Sequence, residues 1–421
     1  LQRIYGISFP ERKDLKKYLF RLEEAAKRDH RKIGKELDLY SFHEEAPGMV
    51  FMHPKGMAIW NILISFWREE HRKAGYVEIK TPIILNKKLW LQSGHWDHYK
   101  ENMYFTKIDD AEYAVKPMNC PGGMLVYKTR PRSYRDFPLR VAEIGLVHRH
   151  ELSGVLSGLF RVRCFHQDDA HIFVTEKELE EEIKNVIKMV DTFYRVFGLD
   201  YTIELSTKPE KAMGEPKLWE LAERTLKKAI ESLKMPYKIN PGDGAFYGPK
   251  LDFSLNDALG RKWQCATCQL DFQMPERFGL EYDGADNKRH RPIMLHRVVY
   301  GAMERFMGIL VEHYAGKFPL WLSPVQAIVL PIADRHLEYS KEVAKKLFDA
   351  GIRVEVDERA ESTPKKVRDA QNQKINYILV VGDNEAKNNT VNVRARSGEV
   401  LGEKKVDDFL SSILKEIEEK G

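Results

Sequence analysis

The sequence is poor in cysteine, with four in 421 residues, unevenly spaced. That excludes a disulfide framework and suits a reducing compartment, so a cytoplasmic location is expected. No run of about 18 apolar residues occurs, which argues against a helical membrane span. No Gly-x-Gly-x-x-Gly follows a strand, so a dinucleotide-binding fingerprint is missing. Internal repeats and low-complexity segments are absent too. Neither charge sign dominates: 68 basic and 63 acidic residues leave a net charge of +5. From Val325 onward about 17 basic residues face about 18 acidic ones, so composition alone does not dictate a nucleic-acid partner. The opening residues Leu1-Gln2-Arg3-Ile4-Tyr5 lack an initiator Met and a signal-peptide pattern, and they read as the interior of a longer protein.

What is present is length and pattern. A chain of this size exceeds one ordinary core and points to two or three domains. Leu15, Tyr18, Leu19 and Leu22 at helical spacing predict a surface or linker helix from about Glu11 to Arg28. Ile59, Trp60, Leu63, Ile64 and Trp67 predict an amphipathic helix over 54–73, ended by Gly75 and followed by an alternating stretch to Pro82. Residues 141–173 read as strand, glycine-bearing loop, strand. Helices are expected over 176–197, over 217–233 and after Gly301, with strands at 201–205, 250–255 and 263–272. Pro319 and Pro324 bracket a linker. Beyond Val325, strands at 326–332, 352–356, 377–381 and 391–396 alternate with helices at 336–350, 364–374 and 406–419. That order predicts a small α/β domain on a largely parallel sheet.

Three separated stretches carry the chemistry: Asn119-Cys120-Pro121-Gly122; Arg149-His150-Glu151 with Arg161-Val162-Arg163-Cys164-Phe165-His166-Gln167-Asp168-Asp169-Ala170-His171; and His296-Arg297 with Gly301-Ala302-Met303-Glu304-Arg305. Together they resemble the signatures of class II aminoacyl-tRNA synthetases, and within that class the threonyl-tRNA synthetases. The helix, strand and proline of 54–82 are similar to the class II dimer-interface signature, which implies a homodimer.

The resemblance implies amino-acid activation by ATP and transfer to tRNA(Thr). A carboxylate attacking an α-phosphate needs positioning and positive charge more than covalent help. Arginine suits the task, since its planar fork binds phosphate bidentately and stays charged. On the expectation that Arg149 lies on a strand, Glu151 two residues later shares its sheet face. The resemblance assigns Arg149 to the α-phosphate and substrate carboxylate and Glu151 to the adenine amino group. It assigns Arg161 to the outer phosphate, Phe165 to stacking on adenine and Arg305 to the other side of ATP, with Mg2+ bridging the phosphates. Lys250 joins Arg149 and Arg305 as a catalytic residue. Taken singly, Arg-x-Glu or Gly-x-x-x-Arg is an ordinary ion pair or helix start.

Cys120, His171 and His296 lie 51 and 125 residues apart, which is no local metal motif. The resemblance makes them ligands of one Zn2+ per subunit. Three protein ligands leave a zinc site open for substrate, and here it would read the amino and hydroxyl groups of threonine. A hydrophobic pocket separates isosteres such as Thr and Val by only about 10²-fold, whereas a site built on a polar group reaches about 10⁴–10⁵. Asp169 would accept from the hydroxyl, with Gln167, Met118 and Tyr247 lining the pocket beside Lys250. The rival Cys265-Ala266-Thr267-Cys268 has no second pair, and in an alternating strand its two sulfurs face opposite sides. Gly123 and Ala302 depart from the His and Ser common at those positions in relatives.

The last domain is similar to the anticodon-binding domain of the Thr, Pro, His and Gly synthetases. Glu385, Arg394 and Arg396 align with anticodon-reading positions, although a solvated charge cluster at a strand edge would read the same way. The expected fold is α/β: an α+β catalytic domain on an antiparallel sheet plus a C-terminal α/β anticodon-binding domain. The expected divisions are a linker helix in 1–35, a catalytic domain in 36–322 and an anticodon domain in 325–421. Nothing resembles the N-terminal domain that hydrolyses Ser-tRNA in bacterial relatives, so a form that charges tRNA without editing is expected. A proline or serine synthetase conflicts with the Cys/His/His set. A non-catalytic relative would be expected to lose Arg149, Glu151 or Arg305.

Overall fold

The computed structural model describes residues 3, 6–257 and 260–420. The opening residues 1, 2, 4 and 5, discussed above for their lack of a leader pattern, lie outside that set. The chain forms two compact units. One comprises Phe42–Val50 and Arg68–Ile309; the other comprises Leu1–Ser41, Phe51–Trp67 and Leu310–Gly421. Among the described residues, no helix is long and apolar enough to cross a membrane.

The larger unit is built on an eight-stranded sheet. Its strands in chain order are β1 (Val77–Glu78), β2 (Leu139–His148), β3 (Cys164–Val174), β4 (Tyr201–Ser206), β5 (Lys238–Asn240), β6 (Lys250–Asn256), β7 (Lys262–Asp271) and β8 (Ile293–Val298). The spatial order is β5-β4-β6-β7-β8-β3-β2-β1. The pairings from β4 to β2 are antiparallel, and only the two edge strands, β5 and β1, add in parallel. This is the antiparallel α+β sheet expected.

The helix Glu176–Val196 begins with a capping box, in which Thr175 and Glu178 satisfy each other's backbone amides. It buries Ile183, Val186, Ile187, Val190 and Phe193, all at helical spacing, and holds the sheet from one side. Tyr194 on this helix ties β7 to the turn that follows β8. Its hydroxyl donates to Val299 O and accepts from Ala266 N. Residues 149–163 join β2 to β3 and contain two short helical turns, Ser153–Val155 and Gly158–Phe160.

Several expectations need adjusting. The stretch before Pro82 holds only a two-residue strand, since Ile79 makes the last ladder bond, to Ala142 O. Strand β8 went unrecognised. Ile293 to Arg297 are all buried, so both faces are covered and no alternation marks them. A three-stranded sheet of Ile84–Asn86, Ala111–Val115 and Tyr104–Ile108 was likewise not anticipated.

The second unit contains the helix Arg12–Arg28 and a five-stranded sheet. The strands are β9 (Ala327–Pro331), β10 (Val354–Val356), β11 (Tyr377–Val381), β12 (Thr390–Ala395) and β13 (Val400–Lys405), in the order β10-β9-β11-β12-β13. Only the first three are parallel; β12 and β13 add antiparallel, so the sheet is mixed rather than largely parallel. Strand β13 was missed because its pattern is polar and charged. The Pro319–Pro324 segment is no solvated linker: Leu320, Trp321 and Leu322 form a buried turn.

Candidate active site and metal centre

The sheet register explains how distant residues meet. Lys250 on β6 pairs with Gln269 on β7, Gln269 with His296 on β8, and His296 with His171 on β3. These four form one row across four strands. Gln167 and Asp169, four and two residues before His171, share its face of the sheet. Cys120 reaches the same place as the first residue of the buried helix Cys120–Tyr127.

Cys120, His171 and His296 each offer a ligand atom, and these atoms all lie within 4.8 Å of one another. The imidazoles meet edge to face, with ring centroids 5.1 Å apart. The donor set fits a zinc ion by three observations. One thiol and two imidazoles are the borderline-soft ligands that zinc prefers. His171 Nε2 is buried with no hydrogen-bond partner, an unmet group of the kind a metal would satisfy. His296 Nε2 donates to Asp271 Oδ2 at 2.7 Å, a carboxylate contact that fixes the ring and leaves its other nitrogen with the lone pair. Asp271 is itself held, since its Oδ1 accepts from Gln273 N (2.7 Å) and Met274 N (3.0 Å).

Burial controls the protonation of this centre. It pushes the His171 imidazole down to about 4, so the ring stays neutral at neutral pH. Burial, reinforced by Asp169 and Asp271, drives the Cys120 thiol well above its ordinary range. Asp169 Oδ2 stands 4.0 Å from His171 Nε2 and accepts from Asn119 Nδ2 at 3.3 Å. The Tyr247 ring lies 5.3 Å from that of His296, and burial raises its phenol. Met118 presents its sulfur 3.0 Å from His95 Nε2, an interaction with no signal in the sequence. Lys250 pairs with Asp252 and lies 3.5 Å from Asp243. The missing side chain at Gly123 leaves room beside His171, since a Cβ there would stand 3.2 Å from Nδ1.

Beside this centre opens a cavity of about 180 Å³ whose lining includes Arg149, Glu151, Arg161, Phe165, Gln167 and Arg305. The structure brings these predicted residues together, but not as the sequence argument supposed. Strand β2 ends at His148, so Arg149 and Glu151 occupy the loop beyond it, where Glu151 N donates to Arg149 O. Arg149 Nε donates to Pro117 O at 3.2 Å, and its guanidinium lies over the Phe165 ring, 5.1 Å from the centroid. Arg161 reaches Glu151 at 4.0 Å. Arg305 donates to Phe160 O (2.9 Å) and Gln264 O (2.7 Å) and lies over Trp263. Burial lowers the pKa of its guanidinium.

The turn carrying Arg305 is set by a residue that the sequence reading passed over. Asp168, fully buried, accepts from Val299 N (2.9 Å), Tyr300 N (3.0 Å) and Gly301 N (2.8 Å), and lies 3.8 Å from Arg297. Burial pushes its carboxyl up to about 6, against the pull of Arg297 and the three amides. Gly301 has φ +79, and a Cβ there would collide with the Cys265 carbonyl oxygen, so this turn requires glycine. Glu304, one residue before Arg305, accepts from both His166 N (3.0 Å) and His166 Nδ1.

Cys265 and Cys268 face opposite ways. Cys265 lines the cavity, while Cys268 feels Glu182 and Arg297 on the far side. In the second unit, Glu385 accepts from Gly382 N, and Arg394 Nε is buried without a partner. Arg396 Nη1 is spent within the fold, donating to Phe318 O (2.8 Å) and Lys374 O (3.3 Å). A larger cavity of about 770 Å³ in this unit is lined by Glu355, Asp357, Glu358 and Asp369 with Arg359, which pairs with Asp357 and Asp369, so the lining is net negative and would repel phosphate.

The comparisons agree with this geometry. The family model "tRNA synthetase class II core domain (G, H, P, S and T)" matches residues 104–314, and "Anticodon binding domain" matches 326–416. The threonine–tRNA ligase of Carboxydothermus hydrogenoformans is 62% identical over 420 residues, covering 100% of this chain and 66% of the relative. That of Natranaerobius thermophilus is 61% identical over 419 residues, with the same coverage. The chain thus spans just under two thirds of the length of these relatives. The crystal structure of the RNA binding domain of threonyl-tRNA synthetase from Cryptosporidium parvum Iowa II superposes with a TM-score of 0.89. It shares 41% identity and covers 92% of this chain and 98% of that one. The chain belongs to the threonyl-tRNA synthetase family of class II aminoacyl-tRNA synthetases.

Proposed function

We propose that the chain activates threonine with ATP to threonyl-adenylate and transfers it to the 3′ end of tRNA(Thr). The observation that carries this reading is the convergence of Cys120, His171 and His296 beside an arginine-lined cavity. These three side chains would hold zinc, which when bound supplies a Lewis-acidic site for the amino and hydroxyl groups of threonine.

The remaining work falls to the protein's own groups. Asp169 accepts a hydrogen bond from the substrate hydroxyl, and Gln167, Met118, Tyr247 and Lys250 line the pocket around it. Arg149 binds the substrate carboxylate and the α-phosphate, holding attacker and target together. Arg305 supplies charge from the opposite side, where negative charge grows on phosphate. Glu151 accepts from the adenine amino group, Phe165 offers a ring for stacking, and Arg161 meets the outer phosphate. Mg2+ accompanies ATP. Burial around Arg305 and Phe165 strengthens each of these electrostatic contacts.

In the second unit, Glu385 and Arg394 would meet anticodon bases, and Arg394 is favoured by its unpartnered Nε. Arg396, with Nη1 donating internally, would contribute through its remaining nitrogens. The proposed divisions are 1–35, 36–322 and 325–421. A homodimer and a cytoplasmic setting, where Cys120 stays reduced, complete the reading. The test is ATP–pyrophosphate exchange across the amino acids, with and without a zinc chelator. Exchange that depends on threonine and stops on chelation supports the reading. Exchange with another amino acid, or indifference to chelation, refutes it.

A further inference from the structure

Asn119 stands beside Cys120 but serves a different neighbour. It is 1% exposed; its Nδ2 donates to Asp169 Oδ2 at 3.3 Å, and its Oδ1 is buried with no partner. Turning the amide over would set Oδ1 against the carboxylate, acceptor against acceptor, so the electrostatics fix its orientation. An unmet buried acceptor costs about 1–3 kcal/mol. Packing alone would be served better by an apolar residue of similar size, so the amide is kept for its contact with Asp169.

Two further features hold the amide in place. Its main chain begins the helix, with Asn119 O accepting from Gly123 N at 3.2 Å. Its plane lies against Gly145 on β2, the residue paired with Gln167 on β3. A Cβ at 145 would overlap Oδ1, Cγ and Nδ2 of the amide together, so the strand carries glycine where the amide must pass. Asp169 is approached on its Oδ2 by this one amide and, at 4.0 Å, by His171.

We infer that Asn119 is a positioning residue for substrate choice. It holds the Asp169 carboxylate in the orientation that receives the hydroxyl of a β-hydroxy amino acid. The side-chain hydrogen bond of Asn119 goes to Asp169, so its loss falls on threonine and spares the isostere valine. The inference rests on the proposed role of Asp169.

The test compares kcat/KM for threonine and for valine in ATP–pyrophosphate exchange. The proteins are wild type, Asn119→Ala, Asn119→Ser, Asp169→Ala and the double variant Asn119→Ala/Asp169→Ala. Zinc per chain and melting temperature are measured for each, and equilibrium threonine binding completes the cycle where turnover is too slow. Asn119→Ala is expected to lower threonine use about tenfold, the scale of one charged hydrogen bond, with valine use and zinc content unchanged. In the Asp169→Ala background it is expected to cost nothing further. Equal loss for both amino acids, no loss, or the same loss without Asp169 overturns the inference. Should Asn119→Ala fail to fold, the threonine-to-valine ratio of Asn119→Ser decides in the same way. Wild-type protein that does not use threonine would sink the underlying role of Asp169 instead, before any variant is compared.

Discussion

Loading the metal centre is predicted to release one proton at neutral pH, and the structure says which one. Zinc binds thiolate and neutral imidazole. Burial pushes the His171 ring down to about 4, so at pH 7–8 it holds no proton to lose. Cys120 is the opposite case. Burial and the nearby Asp169 and Asp271 raise its pKa well above the ordinary thiol value, so the metal-free protein carries a thiol there. One proton per metal means that the apparent affinity for zinc rises about tenfold per pH unit, or about 1.4 kcal/mol. Competition with a chromophoric chelator at several pH values between 7 and 8.5 gives that slope. Calorimetry in two buffers of different ionisation enthalpy counts the proton independently. A slope near zero would mean a preformed thiolate, contradicting the burial argument; a slope near two would mean that another ligand was protonated. Cys120→Ser should abolish tight binding altogether.

Three further outcomes follow from the same geometry. In the metal-free protein, the folded-state pKa of His171 is depressed below its unfolded value. Its stabilising contribution is therefore complete above about pH 6.5 and is lost as pH falls toward 4. Urea unfolding should show about 2 kcal/mol more loss between pH 7 and pH 5 in wild type than in His171→Gln; equal losses would refute it. Asp168→Asn removes a charge that receives three backbone amides and faces buried Arg297, which should cost about 3–5 kcal/mol. Its melting temperature should drop and its KM for ATP rise, since the disturbed turn leads to Arg305; an unchanged KM would separate the turn from the nucleotide site. Arg394→Ala should weaken tRNA charging while leaving pyrophosphate exchange nearly intact, and equal loss of both would remove Arg394 from the anticodon contacts.

Much of the site was legible because its residue types are rare in combination. Cysteine, two histidines and three arginines in signature runs can be matched without knowing how they converge. Their convergence comes from register, which no local pattern displays. Strand β8, which delivers His296, was missed because burial on both faces erases the alternation that marks a half-exposed strand. The placement of Arg149 and Glu151 on one strand face failed at the strand's end: Arg149 N still bonds Arg163 O across the ladder, but Glu151 N turns back onto Arg149 O. Asp168 and Asn119 lie inside the signature runs, but nothing in the sequence says what either one does. Their roles reside in hydrogen bonds to residues about 130 and 50 positions away, and only coordinates reveal them. The long helices were read most reliably, because their apolar stripes are long and their caps explicit, as at Thr175 and Glu178, whereas short ones such as Lys87–Ser93 and Cys120–Tyr127 were not anticipated.

Zinc K-edge absorption on the loaded protein, with threonine or valine added, tests the central claim most directly. One sulfur and two imidazole nitrogens are predicted at the metal, with two added light-atom ligands on threonine and at most one, the amino nitrogen, on valine. A centre with a different ligand set, or one that responds equally to both amino acids, would contradict the claim that a Cys120–His171–His296 metal reads the substrate hydroxyl.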